Sequence, residues 1–339
     1  MRYRDAGVDI ARADAVKDDI LRAVRSTWGP AVRPLAGGFA GVMEFPGGDR
    51  LLAATLDGIG TKLILAQRAG RLGDAAADLV YHGANDLLVH GARPLALLDY
   101  VAQARLDPDL VRQVVEGLAR ACREVECALL GGETAEMPDT YLPEVVDVAG
   151  CMIGVTDSAT LLDGRAVRPG DALLGLASNG LHTNGYSLAR RVLERSRLAL
   201  SEPLPGDHQS LAAALLAPHR WYGPALMPVI ERRGVHALAH VTGGGIAGNL
   251  ARVLPEGCRA RIDASAWRVP RVFEWLIEAG EVPREDARRA FNLGIGMIAV
   301  CTAAEAGALA SDLESRGERV MRIGEILEGE RGASWQEIE

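Results

Sequence analysis

Strand-like and helix-like segments alternate along most of this sequence, and this alternation limits the possible fold more than any other feature. In the first half, Arg50–Thr55 and Pro94–Val101 are short apolar segments with the length of strands. Asp74–Gly91 carries apolar residues at helical spacing, and Asp107–Glu126 predicts another helix, with Pro108 in its first turn. Strands that alternate with helices in this way are typical of α/β proteins. We therefore expect an α/β (α+β) fold.

A polar segment, Asp157–Asp171, interrupts the alternation near the middle of the chain and contains Gly164, Pro169 and Gly170. With about 150 residues per domain, a chain of 339 residues predicts two domains. We place them at residues 1–160 and 170–339. The second half repeats the alternation, with predicted strands at Ala172–Leu176, Arg259–Asp263 and Leu293–Cys301, helices at Asn184–Ser196, Trp221–Arg233 and Arg271–Ala279, and a closing helix–strand pair within Ala303–Ile326.

The N-terminal region differs from the rest of the chain. Tyr3–Asp9 has few apolar residues, and such a terminus is often mobile unless other parts of the protein hold it. The segment from Ala11 to Ser26 is predicted to form a helix.

Charge and composition exclude several classes of protein. A net charge of -8 and a pI near 5.5 argue against nucleic acid as a partner, because proteins that bind it usually show a basic patch. No stretch approaches the roughly 18 consecutive apolar residues of a membrane helix, and Met1–Asp5 lacks the apolar core of a signal peptide. The five cysteines form no C-x-x-C motif, which argues against structural zinc. These features predict a cytoplasmic protein without a membrane partner.

Three acidic residues stand beside small residues in the first half of the chain. Asp57 precedes Gly58, and Asp86 follows Asn85. Glu133 follows Gly131 and Gly132, where the predicted strand Cys127–Leu130 ends. Carboxylates in such places suit Mg²⁺, which prefers oxygen ligands and takes part of its shell from substrate phosphates. Glycines let backbone N–H groups approach phosphate oxygens. Each acid alone is better explained as a helix N-cap or a solvated turn, and only the set of three in one domain favours the metal site.

The sequence contains neither of the two common nucleotide-binding motifs. It lacks G-x-x-x-x-G-K-[ST], and it has no G-x-G-x-x-G after a predicted strand. A nucleotide, if bound, therefore requires another architecture.

Two glycine-rich turns in the second half are candidate anion sites. Ser178–Ser187 lies between a predicted strand and a helix, and His240–Asn249, which contains three consecutive glycines, begins another helix. Free N–H groups at a helix N-terminus bind phosphate well. A pair of tight turns is the alternative. Within these turns, His182 is a candidate for substrate contact or proton transfer, whereas His240 is expected to be a structural hydrogen-bonding residue.

Other polar residues receive simpler interpretations. His82 and His90 lie in a helical stretch without evident metal-ligand partners, so we expect packing or surface roles. Asn292 begins a buried strand, where its amide is expected either to hold substrate or to close a turn.

Taken in order, these motifs resemble the phosphoribosylformylglycinamidine cyclo-ligase (AIR synthetase) family of purine biosynthesis. The resemblance runs from Tyr3 to about Ile326. Its carriers are Tyr3–Ile10, Gly37-Gly38-Phe39, Asp57–Lys62, Asn85-Asp86-Leu87, Gly131–Pro138, Gly180–Ser187, His240–Gly245 and Phe291–Met297.

The resemblance implies a two-domain protomer. An N-terminal sheet domain pairs with a second copy to form a shared barrel in a homodimer, and a C-terminal ferredoxin-like α/β domain follows. It also implies ATP, Mg²⁺ and formylglycinamidine ribonucleotide as ligands, and it leaves a monovalent cation open. ATP would phosphorylate the formamide oxygen of the substrate, after which the amine nitrogen closes the ring and phosphate leaves.

The resemblance also implies roles for individual residues. The implied metal ligands are Asp57, Asp86 and Glu133, and the implied catalytic residues are His182, Lys62 and Asp57. The implied ATP contacts are Gly58, Gly60, Thr61, Lys62, Asn85, Gly131, Gly132 and Glu133. The implied substrate contacts are His182, Asn184, Thr242, Gly243, Gly244, Gly245 and Asn292.

Two alternatives are weighed against this interpretation. Another ATP-dependent member of the same superfamily would carry a different early loop: selenophosphate synthetase needs a reactive cysteine there, and thiamine-monophosphate kinase an aspartate where Phe39 stands. A non-catalytic nucleotide-binding scaffold on this fold would be favoured by the loss of a metal carboxylate, and all three carboxylates are present.

Overall fold

The computed structural model of the chain describes residues 1–6, 22–35, 38–45, 48–230 and 234–336. Within these ranges the first half of the chain builds one six-stranded sheet in the order β1-β2-β3-β6-β4-β5. The sheet is antiparallel except for the parallel pair β4 and β5. Its strands are β1 (Val32–Arg33), β2 (Gly41–Glu44), β3 (Arg50–Gly58), β4 (Arg93–Gln103), β5 (Ala128–Glu136) and β6 (Val146–Asp157).

The helices that pack on this sheet, directly or through another helix, are α1 (Lys62–Arg68), α2 (Leu72–Leu88) and α3 (Pro108–Glu124). Helix α2 lies against β3 and β6 and is buried along nearly its whole length. Helix α3 packs on α2, and it begins at Asp107, whose carboxylate accepts hydrogen bonds from the N–H groups of Asp109 and Leu110. Both helices therefore cover the same face of the sheet.

The second half builds another six-stranded sheet within the described ranges, in the order β12-β9-β11-β7-β10-β8. Its central strands β7 and β10 are buried along both faces, in keeping with their uninterrupted apolar sequences. The strands are β7 (Ala172–Ala177), β8 (Ala237–His240), β9 (Cys258–Asp263), β10 (Ile295–Cys301), β11 (Val320–Glu328) and β12 (Gly332–Gln336). The helices are α4 (Tyr186–Ser196), α5 (Leu211–Leu215), α6 (Gly223–Ile230), α7 (Gly245–Arg252), α8 (Arg271–Gly280), α9 (Arg284–Ala290) and α10 (Ala306–Ser315).

The two faces of the first sheet have opposite environments. In β6, alternate residues from Val146 to Thr156 are buried under the helices, as the period of two in a strand requires. On the other face Leu56, Leu98 and Leu130 are exposed. None of α1, α2 and α3 covers that face.

The predicted α/β architecture is confirmed, and most predicted elements lie within a few residues of the observed ones. One local prediction is wrong: the strand was expected to end at Leu130, before Gly131-Gly132-Glu133, yet these three residues lie inside β5 and pair with β4. Of the predicted helix Ala11–Ser26, residues 11–21 lie outside the described ranges, and residues 22–25 are helical. Gly37 and residues 7–10 also lie outside. Within the described ranges, no helix combines the length and the hydropathy that a membrane crossing needs.

Candidate functional site at the seam between the two sheets

Helix α2 carries a buried polar stripe. Asp78, His82, Asn85 and Asp86 follow at intervals of four, three and one residues, so they lie along one side of the helix. All four side chains are buried. Because buried polar groups need partners, this stripe must be matched by polar groups of the element that packs on it.

The matching element is the loop of residues 216–222 between α5 and α6. Asp78 Oδ1 accepts the backbone N–H of His219 at 2.7 Å. Asn85 accepts the N–H of Tyr222 at 3.2 Å and donates to the carbonyl of Arg220 at 2.8 Å. These contacts tie the two halves of the chain together. Both the oxygen and the nitrogen of the Asn85 amide, which was predicted to contact ATP, therefore already have hydrogen-bond partners within the protein.

Lys62 lies at the start of α1 and is almost completely buried. Its ammonium donates to the Asp78 carboxylate, to the carbonyl of His182 at 2.9 Å and to the carbonyl of Ala217 at 3.3 Å. Burial opposes the charged form, but the Asp78 carboxylate outweighs it and raises the pKa of Lys62 above its usual value. An ammonium has three donors, and all three have partners here. This arrangement favours an anchoring role over the predicted phosphate contact.

Asp57 and Asp86 converge on His82. Asp57 ends the buried face of β3, and its Oδ2 lies 3.1 Å from His82 Nε2; the Oδ2 of Asp86 lies 3.8 Å from the same nitrogen. Burial alone would raise the pKa of Asp57, but the hydrogen bond and the charge of His82 lower it below its usual value. The Asp57 side chain is 43% exposed, whereas Asp86 is buried. The pair therefore offers carboxylate oxygens beside an opening to solvent.

The seam is the contact between α2 and the loop of residues 216–222, and three further histidines lie there. His240 Nδ1 lies 2.7 Å from Asp86 Oδ1, and its Nε2 lies 3.0 Å from His219 Nε2. The ring of His182 stacks on that of His219, with centroids 4.0 Å apart. Burial holds the pKa of both His182 and His219 well below the usual value, so these imidazoles are neutral. The Nδ1 atoms of both rings lack a hydrogen-bond partner among the described residues.

Two expectations about histidines have different outcomes. The expectation that His82 has no metal-ligand partners is wrong, because its partners come from other elements: Asp57 from β3, and the neighbouring rings of His219 and His240. The packing role of His90 agrees with its contacts, since it accepts the N–H of Phe39 and bonds the carbonyl of Leu162.

The triple glycine begins α7 beside the loop that carries His182. An added Cβ on Gly243 would lie 3.3 Å from Asn184 Oδ1, so the two glycine-rich turns are neighbours. Gly244 has a φ of +96° and open space around it. A Cβ on Gly245 would lie 1.8 Å from the carbonyl oxygen of Arg288. Packing therefore explains directly why residue 245 is a glycine.

Other predicted substrate residues have structural partners. Asn292 donates to the carbonyl of Gly180 at 2.8 Å and accepts the N–H of Gly294 at 2.9 Å, so its amide closes two turns. The Thr242 hydroxyl donates to Asn249 at 3.1 Å. These residues shape the turns, whichever ligand the turns bind.

Glu133 does not join the other two acids within one chain. Glu133 lies in β5, where it pairs with Tyr100 of β4, and β5 is three strands away from β3 in the sheet. At about 4.8 Å per strand, this separates it from Asp57 by about 14 Å. Gly132 has a packing reason, since an added Cβ would lie 2.3 Å from the carbonyl oxygen of Asp99. Gly131 has open space around it.

The residues that follow Asp57 form a turn into α1. Gly60 has a φ of +68° with no atom near its missing Cβ, and the Thr61 hydroxyl lies 3.2 Å from that of Ser187 in the second half of the chain. Gly58 is exposed at the end of β3. This turn is therefore open beside the Asp57 carboxylate.

Sequence reasoning missed Asp78 and His219, although one signal could have found Asp78. It lies eight residues before Asp86 and four before His82, so a helix places it on the same side. No comparable signal exists for His219, because a loop residue has no periodicity that would indicate its direction.

Comparison with known proteins assigns both halves of the chain. Residues 37–156 match the family model of the AIR synthase related protein N-terminal domain, and residues 168–336 match that of the C-terminal domain. The phosphoribosylformylglycinamidine cyclo-ligase of Arabidopsis thaliana, named as chloroplastic, is 42% identical over 99% of this chain and 83% of its own length. The cyclo-ligase of Bordetella petrii is 43% identical over 96% of this chain and 94% of its own length.

Solved structures share the fold at lower identity. Thiamine-monophosphate kinase from Stenotrophomonas maltophilia has a TM-score of 0.63 and 21% identity, and it covers 95% of this chain and 96% of its own. HypE of E. coli, a hydrogenase maturation protein, has a TM-score of 0.63 and 19% identity, over 85% of this chain and 83% of its own. The chain belongs to the AIR synthase related protein family. Within it, the chain is one of the phosphoribosylformylglycinamidine cyclo-ligases.

Proposed function

We propose that this protein closes the imidazole ring of 5-aminoimidazole ribonucleotide from formylglycinamidine ribonucleotide and converts ATP to ADP and phosphate. The observation that carries the proposal is the identity of 42–43% with cyclo-ligases across both domains. The convergence of Asp57, Asp86 and His182 at one seam supports it, because this reaction needs two phosphate-bearing ligands brought together.

The first domain would bind the nucleotide. The carboxylates of Asp57 and Asp86 fit Mg²⁺, since they supply oxygen ligands next to an opening, and the turn of Gly58, Gly60 and Thr61 leaves room for phosphates. Bound Mg²⁺ would neutralise phosphate charge. Glu133 would join this site only from a second copy of the chain or after a rearrangement. A monovalent cation beside the phosphates remains an expectation from the resemblance alone.

The second domain would bind the ribonucleotide substrate. Gly243 and Gly244 stand at the N-terminus of α7, where N–H groups suit the 5′-phosphate, and nothing lies closer than 3.9 Å to an added Cβ on Gly244. Asn184 and Thr242 flank that turn. Gly245 and Asn292 would act by holding the turns in shape.

His182 would act at the reacting end of the substrate. Its Nε2 accepts the N–H of Asn179 at 3.3 Å, so Nδ1 carries the proton, and that nitrogen has no partner among the described residues. A neutral imidazole can exchange this proton with the substrate. Lys62 would position His182 by holding its carbonyl.

Two chains would associate through the open face of the first sheet. Leu56, Leu98 and Leu130 expose apolar surface there, and a cavity of about 570 Å³ between Trp28 and Ala54 lies against the same sheet. A contiguous exposed apolar face marks a protein interface. Because the same surface would serve both copies, the dimer would be isologous. We place the enzyme in the cytoplasm, as its composition predicts.

The decisive experiment measures ADP formation with purified protein, ATP and Mg²⁺. Turnover should appear with formylglycinamidine ribonucleotide and be absent both without it and with thiamine monophosphate in its place. The product should show the amine of an aminoimidazole in a colorimetric assay. ATP turnover that is the same with and without formylglycinamidine ribonucleotide would contradict the proposal.

A further inference from the structure

Three buried imidazoles from the two halves of the chain meet at the seam. His82 belongs to α2, His219 to the loop between α5 and α6, and His240 ends β8. One ring nitrogen of each lies within 4.8 Å of one ring nitrogen of the others. The proposed reaction uses none of the three as a ligand, and a buried polar cluster calls for an explanation.

Two of the three rings are already oriented through their second nitrogen. Asp86 Oδ1 lies 2.7 Å from His240 Nδ1, and the hydroxyl of Thr183 lies 2.6 Å from His82 Nδ1. Histidines that bind metal ions are held in this way, with a carboxylate or another polar group on the far nitrogen. The third residue, His219, is fixed through its backbone N–H, which donates to Asp78. The Nε2 atoms of His219 and His240 face each other, and the Nε2 of His82, which lies 3.1 Å from Asp57 Oδ2, would exchange that contact for the ion.

The donor atoms select the class of metal. Imidazole nitrogen suits Zn²⁺, Co²⁺ and Ni²⁺, whereas Mg²⁺ prefers oxygen. The Nε2 atoms of His219 and His240 are 3.0 Å apart, and a tetrahedral ion with Zn–N bonds of about 2.0–2.1 Å needs about 3.3 Å. A shift of a few tenths of an ångström would therefore admit the ion. The Asp57 carboxylate beside His82 is partly exposed, so an ion can reach the histidines from solvent on that side.

We propose that His82, His219 and His240 bind one transition-metal dication of the zinc class and that this ion bridges the two domains. The site goes beyond the proposed reaction, and it requires neither ATP nor the ribonucleotide. Its ion would join α2 to the second sheet at the point where the Asp78 and Asn85 contacts already hold them.

The test titrates the chelator-treated full-length protein with Co²⁺ and Zn²⁺ in excess Mg²⁺, without substrates. We expect one Co²⁺ per chain, with the intense visible bands of a tetrahedral site, and calorimetric binding of one Zn²⁺. His219→Gln and His82→Gln should each weaken binding at least about 100-fold, since loss of even an outer partner of a metal ligand costs 10–100-fold. The matched control is His208→Gln, which removes an exposed histidine away from the seam and should bind like the wild type.

Stability supplies a second measurement, because a ligand that binds only the folded state raises the melting temperature with its concentration. Zn²⁺ should raise the melting temperature of the wild type and of His208→Gln but not of His219→Gln. Equal metal affinity in wild type and His219→Gln would overturn the proposal. So would a thiolate-to-cobalt charge-transfer band, which would place the ion on a cysteine, or displacement by Mg²⁺, which would place it on Asp57 and Asp86.

Discussion

Two neighbouring residues show how different the environments of the two faces of the first sheet are. Leu56 and Asp57 are adjacent in β3, so their side chains point to opposite faces. Leu56 is 72% exposed on the open face, while Asp57 faces α2 and meets His82. The pleat of one strand thereby separates the proposed metal site from the proposed dimer interface. A change on one face should leave the function of the other intact.

The separation extends across the sheet. On the open face, Leu98 of β4 and Leu130 of β5 continue the apolar surface of Leu56. On the covered face, Gly150 and Met152 of β6 pack under α2. The covered face therefore fixes the polar stripe of α2 in place, while the open face remains available for a second chain.

The largest effect is expected on the covered face. Asp57→Asn keeps the size of the side chain but removes its charge, and a metal ion contributes several kcal/mol to charge stabilisation in a transition state. We expect kcat to fall by about 10³-fold or more. Steady-state kinetics would measure this, with sedimentation as a check that the oligomeric state is unchanged. The control is Asp157→Asn, an exposed carboxylate in the partner strand. Near-normal turnover of Asp57→Asn at ordinary Mg²⁺ concentrations would remove Asp57 from the metal site.

A second effect is expected on the free energy of unfolding, at an ion pair between α1 and α2 on the covered side of the sheet. Lys62→Met leaves the buried Asp78 carboxylate without its cation, and breaking a buried ion pair in this way costs about 3–5 kcal/mol of the free energy of unfolding. Urea denaturation would measure the loss. Lys62→Met combined with Asp78→Asn should recover most of it, because no unpaired charge remains and the amide oxygen still accepts the N–H of His219. A double variant no more stable than Lys62→Met would refute the ion-pair explanation.

The smallest effect is expected on the open face. Leu56→Ala should weaken the dimer by about 1 kcal/mol for each copy of the residue. Because an isologous interface contains the residue twice, the dissociation constant of the dimer should rise about 30-fold. Sedimentation at a series of concentrations would measure it. Leu106→Ala, in the loop before α3, is the matched control and should leave the dimer unchanged. An active wild-type monomer of 36.0 kDa would show that this face has another use.

Local sequence signals predicted the elements of the fold well. Helical spacing placed α2 within a few residues, and Asp107 with Pro108 marked the start of α3. The signal failed for Gly131 and Gly132, because glycines usually indicate a turn. Here Gly132 lies inside β5, where the backbone of Asp99 leaves no room for a Cβ.

The candidate site was predictable only in part. Small neighbours indicated Asp57 and Asp86, and a place in a glycine-rich turn indicated His182; all three lie at one seam. Glu133 carried the same local signal but lies three strands away from β3. Local composition describes the surroundings of a residue along the chain and says nothing about its distance from another such residue.

The sequence by itself determined the alternating elements, the family and the residue types that phosphate and metal chemistry need, because these depend on local periodicity and on short motifs. Only the tertiary structure decided the partners. It brought His219 from a loop against His82 of a helix and His240 of a strand, and it buried Lys62 against Asp78 and the His182 loop. The contacts of Lys62 with the His182 carbonyl and of His82 with His219 and His240 join residues more than a hundred positions apart. Their geometry follows from how the second half of the chain packs on α2, which no local pattern encodes.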